Sequence, residues 1–318
     1  MPSAAARSLR TGLTGMLTVI SPNITNPFFA ELFRDIQHFA SNYGYTTILQ
    51  TQDDTHAPTL FDRLSWNGSV GVDGIIVCFP DDDTVVDYVN RYCPETPIVY
   101  LTWHPLNERV QSAVLLDVEN GLYIATRHLL SQGHRLIGYI GAPDTSITSK
   151  EKFKGYVAAL AQDGIAVSPE FVFHGPYGLE TGYRAAESAL RGTHRPTAVV
   201  TESDVFAIGC IKYCLHNARS VPNDMAVTGF DDIPMANMYE PPLTTVRLPV
   251  TEMAHAAVDK LHALIARRGE AEPLNKAESI FYAKLIVRRS TDPNYENQSP
   301  AGTFDFTKKE NNKDCAQF

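Results

Sequence analysis

Short apolar runs recur along this chain, and chemically useful side chains stand just after them. Phe28 and Phe29 follow the first run, with Asn26 before them, and Trp103 follows the fourth. Lys152 lies beyond the loop after the fifth, and Tyr177 beyond the sixth. Ser203 and Asp204 follow the seventh, and Asp231 and Asp232 the eighth. Aromatic rings offer flat apolar faces to the C–H side of a sugar ring. Carboxylates accept from hydroxyls and an ammonium donates to them, in bonds stronger than those between neutral groups. Together these residue types suit a small polyhydroxylated ligand held by non-covalent contacts.

The runs that must position these residues are 16–21, 46–51, 74–79, 97–101, 136–140, 171–173, 198–201 and 226–230. Gly74-Ile75-Ile76-Val77-Cys78-Phe79 is apolar throughout, as parallel strands buried on both faces are. Between the runs lie helix candidates at 28–43, 84–92, 119–132, 150–162, 179–190 and 205–217. Regular alternation of strand and helix predicts layered α/β/α units with right-handed crossovers. With about ten strands, two parallel sheets fit domain-size limits better than one. Open parallel sheets bind ligands at the carboxyl ends of their strands, where the residues above stand.

Composition narrows the class. The chain has 318 residues, 44% hydrophobic and 20% charged, as a globular protein with sizeable cores does. The absence of a long apolar segment and of a secretory h-region predicts a cytoplasmic protein. A formal net charge of −9 makes the body repel nucleic acid, yet the first 30 residues hold Arg7 and Arg10 and no acid. Five scattered cysteines, Cys210 and Cys214 one helical turn apart among them, read as reduced thiols. The sequence shows no metal-ligand motif, P-loop, nucleophile elbow or dinucleotide fingerprint. No cofactor, metal or enzymatic activity is therefore expected. A free-standing solute-binding protein is the alternative, but it would need an export signal.

Four segments in order resemble the LacI/GalR family of transcriptional regulators over roughly residues 3–291. They are Gly15-Met16-Leu17-Thr18-Val19-Ile20-Ser21 running on to Asn26-Pro27-Phe28-Phe29, then Gln132-Gly133-His134-Arg135, then Val221-Pro222-Asn223-Asp224-Met225-Ala226-Val227-Thr228-Gly229-Phe230-Asp231-Asp232 with Pro241-Pro242-Leu243-Thr244-Thr245, and lastly Val287-Arg288-Arg289-Ser290. The resemblance implies a periplasmic binding protein type I-like fold: two similar α/β/α subdomains with parallel sheets, joined by three crossovers. Residues 13–132 and 249–277 would form the N-subdomain. Residues 133–248 and 278–291 would form the C-subdomain, and 292–318 a disordered tail. Phe28, Phe29, Trp103, Tyr177 and Asp231 match effector-pocket positions. Lys152 stands where members commonly have Arg, and Ser203 where an Asn-Asp pair is usual, here Ser203-Asp204. Lysine replaces a bidentate fork by a point charge, and serine loses an amide's paired donor and acceptor.

Residues 5–12 resemble the hinge helix that such regulators form on DNA. Leu9 would wedge into the minor groove, Ala6 would let a paired helix approach, and Arg7 and Arg10 would meet phosphates. Because the sequence begins at Met1, only four residues ahead of this stretch, a core without its helix-turn-helix is expected, touching operator DNA weakly. The expected partners are a carbohydrate effector and a second copy of the chain in a homodimer.

Overall fold

The structure, a computed structural model, describes residues 12–51, 71–80, 83–103, 112–268 and 277–295. The hinge-like residues Ala6, Arg7, Leu9 and Arg10, Cys315 and nearly all of the polar tail lie outside these.

In chain order the strands are β1 (Met16–Ser21), β2 (Thr46–Thr51), β3 (Gly74–Cys78), β4 (Ile98–Thr102), β5 (Ser112–Asp117) and β6 (Ile137–Gly141). They continue with β7 (Val172–His174), β8 (Ala198–Thr201), β9 (Ala226–Asp231), β10 (Thr244–Arg247), β11 (Ala277–Tyr282) and β12 (Lys284–Ile286). The helices are α1 (Pro27–Asn42), α2 (Asp83–Tyr92), α3 (Val118–Ser131) and α4 (Ile147–Gln162), then α5 (Leu179–Ala189), α6 (Asp204–His216), α7 (Pro234–Met238) and α8 (Val250–Ala266).

Among the described residues the strands form two six-stranded sheets, ordered β11-β5-β4-β3-β1-β2 and β12-β10-β9-β8-β6-β7. Among the described residues every strand pairing is parallel except β10 with β12. This is the expected two-sheet α/β architecture, and the chain passes between the sheets three times. Parallel strands explain the apolar runs: β3 and β6 are buried at every position.

Two of the passes fall elsewhere than expected. The family resemblance places residues 118–132 in the first unit, but α3 packs on α4 and on strands of the second sheet. A side chain at Gly155 of α4 would fall 2.0 Å from the Glu119 carbonyl, and one at Gly121 would meet Phe230 of β9. The small residues let this helix lie close on the second unit, so the first pass is at Asp117. The resemblance likewise places residues 278–282 in the second unit. They extend β11, which pairs with β5 from Ala277↔Ser112 to Tyr282↔Asp117, so the last pass is at Ala283.

Helix α8 covers the first sheet with Met253, Ala257, Val258, Leu261 and Ile265 buried at helical spacing. Asp73 fastens the start of β1, accepting from the Thr14 and Gly15 N–H groups at 2.8 and 2.7 Å and from the Thr14 hydroxyl at 3.0 Å. Among the described residues, no helix is long and apolar enough to cross a membrane.

Candidate functional site

Both sheets end their strands on one cleft of about 760 Å³. The first sheet contributes three corners. After β1, Asn26 caps α1: its side-chain carbonyl accepts from the Phe28 N–H at 3.0 Å. That cap, with Pro27 at the first helical position, brings Phe28 and Phe29 to the cleft. After β3 comes Phe79, at φ +49, and after β4 comes Trp103. Phe79 and Trp103 stack with ring centroids 3.7 Å apart, and Phe28 lies 5.7 and 6.0 Å from them. These rings form one apolar wall.

The second sheet supplies polar groups. Asp231 ends β9 and is 8% exposed; its carboxylate accepts from the Asn26 amide and the Ser203 hydroxyl, each at 3.2 Å. Ser203 caps α6 and lies 3.5 Å from the Tyr177 hydroxyl at the cleft rim. Lys152, on α4, is 7% exposed, donates to the Glu202 backbone carbonyl at 2.8 Å and sits 3.9 Å from the Phe230 ring centroid.

Asp231 is held in an unfavourable backbone conformation, φ +108, which for a non-glycine residue costs on the order of 1–3 kcal/mol. Its neighbour Asp232, at φ +54, turns away and bridges Arg247 at 2.5 Å and Arg288 at 2.7 Å. Those ion pairs tie the turn to β10 and to the segment after β12, so the two adjacent acids serve different partners. Burial raises the Asp231 carboxyl to about 6, while Lys152 and the bonds from Asn26 and Ser203 pull the other way. Burial also pushes the Tyr177 hydroxyl up, and the Asp231 charge adds to that.

Seven of the eight expected pocket residues line this cleft: Phe28, Phe29, Trp103, Lys152, Tyr177, Ser203 and Asp231. Asp204 does not. It is fully buried in the first turn of α6, where it accepts from the Thr245 hydroxyl at 2.5 Å and the Ile233 N–H at 2.8 Å. Its place is therefore in the frame beneath the pocket, fastening α6 to β10 and to the turn after β9. Burial raises its carboxyl well above the ordinary range, with the nearby Asp231 charge adding to it. Asp204→Ala strands a buried N–H and a hydroxyl, and is expected to destabilise the fold by about 1–3 kcal/mol in denaturant titration.

The cleft also holds residues not singled out from sequence. Phe79 reads there as the end of a strand. Glu202, directly after β8, is 4% exposed and accepts from the Ala142 N–H at 3.0 Å, the Ser149 hydroxyl at 2.5 Å and the Tyr139 hydroxyl. The strand-end rule that pointed to Ser203 points equally to Glu202. Among the described residues no cluster of acids, histidines or cysteines is placed to hold a metal. Cys78, Cys93, Cys210 and Cys214 are buried free thiols.

The family model described as a periplasmic binding protein-like domain matches residues 126–291. The HTH-type transcriptional repressor PurR of Glaesserella parasuis is 31% identical over 293 residues, which span 91% of this chain and 85% of the relative. A LacI family transcriptional regulator from Enterococcus faecium, solved with bound ribose, superposes with a TM-score of 0.77 at 25% identity, covering 87% of this chain and 99% of the other. The transcription regulator CcpA of Lactococcus lactis superposes with a TM-score of 0.74 at 26% identity, covering 87% and 98%.

Proposed function

The chain belongs to the LacI-type family of transcriptional regulators, and from that premise we propose that a small effector, a sugar or sugar derivative, enters its cleft and thereby sets affinity for operator DNA. The observation that carries this reading is the Asn26–Asp231 bond, which joins the two sheets directly at the cleft. A ligand that takes over Asp231 changes the contact holding one unit to the other. Only such differential contact lets binding shift a conformational equilibrium.

The aromatic wall of Phe28, Phe29 and Trp103 receives the apolar face of the ligand, and Asp231, Ser203, Tyr177 and Lys152 meet its polar groups. The ribose-bound relative supports a carbohydrate. Residues 5–12 carry the change to DNA, and the function is binding rather than turnover. A thermal-shift screen of sugars, polyols and nucleobases tests the reading. One chemical class is expected to stabilise the protein, by about 2.7 kcal/mol at 100 times its Kd. A folded chain that answers to none, or that chemically converts its ligand, contradicts it.

Affinity is expected to depend on pH. With Asp231 titrating at about 6, its ionised fraction falls about tenfold from pH 7 to pH 5, and the ionised form is the better acceptor. Binding is therefore lost as pH falls through about 6, and Asp231→Asn should flatten the profile in calorimetric titration. The free protein follows the opposite sign. Because the folded value lies above the ordinary 3.8, the stability linked to this group is full below about 4 and lost as pH rises through about 6.

We further propose that the protein acts as a homodimer, since a palindromic operator calls for a two-fold protein. Met238 and Met235 on α7 are 81% and 49% exposed and offer an apolar contact. Met238→Asp is expected to shift sedimentation from dimer to monomer. An unchanged profile would remove α7 from the interface.

A further inference from the structure

Lys152 is more than nine-tenths buried, yet among the described residues no carboxylate lies within ion-pair distance of it. Its ammonium carries three donors. One reaches the Glu202 backbone carbonyl, and the charge rests over the Phe230 ring. The Glu202 carboxylate gives it no pairing, being taken up by the Ala142 N–H, Ser149 and Tyr139. The Asp231 carboxylate is near enough to feel the Lys152 charge but forms no ion pair with it, its hydrogen bonds being taken by Asn26 and Ser203. A buried cation with donors to spare is costly unless something completes it.

The surroundings of Lys152 match one kind of group. The chain from Thr145 to Ser149 lines the same cleft and forms the start of α4, a 16-residue helix. Ser146 caps this helix, accepting from the Ser149 N–H at 3.4 Å; the remaining first-turn N–H groups lack acceptors within the helix, and the positive end of the helix dipole favours an anion there. Thr145 and Thr148 add hydroxyls.

Resting on the effector reading above, the geometry points to an oxyanion subsite at the start of α4, where Lys152, Thr145 and Thr148 take a phosphate or carboxylate carried by a small polyhydroxylated ligand. The hydroxyls of that ligand lie toward Asp231, and its apolar face lies on the aromatic wall. The ligand class thereby narrows from a neutral sugar to a sugar phosphate or sugar acid.

The test is titration calorimetry at constant ionic strength with matched sets: ribose, ribose 5-phosphate and ribonate, then glucose, glucose 6-phosphate and gluconate. In the wild type, one anionic member is expected to bind at least about tenfold more tightly than its neutral counterpart. Whether phosphate or carboxylate shows the preference identifies the group. Lys152→Met should abolish the preference and Lys152→Arg should retain it, with cooperative melting confirming that both fold. A neutral sugar that binds as tightly as its anionic forms, or a preference that survives in Lys152→Met, overturns the subsite and leaves the effector reading standing. Binding of no member by folded wild type also overturns the subsite, while the effector reading is decided separately by the thermal-shift screen.

Discussion

Replacing Asp231 by Ala is expected to weaken effector binding by about 10- to 100-fold, the equivalent of roughly 1.5–3 kcal/mol for hydrogen bonds to a charged acceptor. The group is well placed for so large a share. It is buried, two neutral donors already orient its carboxylate, and the ion pairs of Asp232 fasten the next residue. A ligand thus meets an acceptor that needs little further ordering, and such preorganisation converts contact into affinity. Asp231→Asn keeps an acceptor for Asn26 and Ser203 and should lose less than the alanine variant. Calorimetric titration with the effector from the thermal screen separates the two. If Asp231→Ala binds as the wild type does, Asp231 is not part of the effector site.

Gly209→Ala is expected to destabilise the fold by about 3 kcal/mol, the upper part of the range for overpacking. A Cβ at Gly209 in α6 would lie 2.1 Å from the Leu179 carbonyl oxygen in α5, and one at Gly182 in α5 would lie 1.9 Å from the Phe206 carbonyl oxygen in α6. The two helices therefore cross with backbone against backbone at both points. The obstacle is a carbonyl oxygen in a packed helix, so relief requires the helices to separate. Their starts carry Tyr177, just before α5, and Ser203, the cap of α6. Separation should therefore weaken effector binding as well as lower the melting midpoint. Denaturant titration and calorimetry on the same variant would show both; wild-type stability would mean that the helices do not pack this closely.

The strands that read clearly in the sequence, such as β1, β3 and β9, are short apolar runs buried between helices. Strand β5 was harder to see for a local reason. Asp117 both ends it and caps α3, accepting from the Asn120 N–H at 2.8 Å, so no glycine or proline separates strand from helix. Helix α8 has an equally quiet start, with Pro249 at its cap and no side chain bonded there. The passes between sheets could not be read from local pattern. They depend on which sheet pairs with β11 and which receives α3, and only tertiary packing decides that.

The site shows the same division. Position after a strand pointed to Phe28, Trp103, Tyr177, Ser203 and Asp231 one by one, because parallel strands deliver their loops to one edge. The same rule cannot distinguish a side chain facing the cleft from one facing the frame. Asp204 and Glu202 flank Ser203, and the structure turns Glu202 to the cleft and Asp204 beneath it. The bond from Asn26 to Asp231 spans 205 positions in the chain, beyond any argument from spacing.

The most direct test of the cleft as a site shared by both units is amide hydrogen exchange, with and without the compound that gives the largest thermal shift. Bound ligand is expected to protect residues 22–29 of the first unit together with 142–152 and 202–206 of the second, since stabilised segments open less often. Protection confined to one unit, or appearing away from the strand ends, would contradict an effector site built between the two sheets.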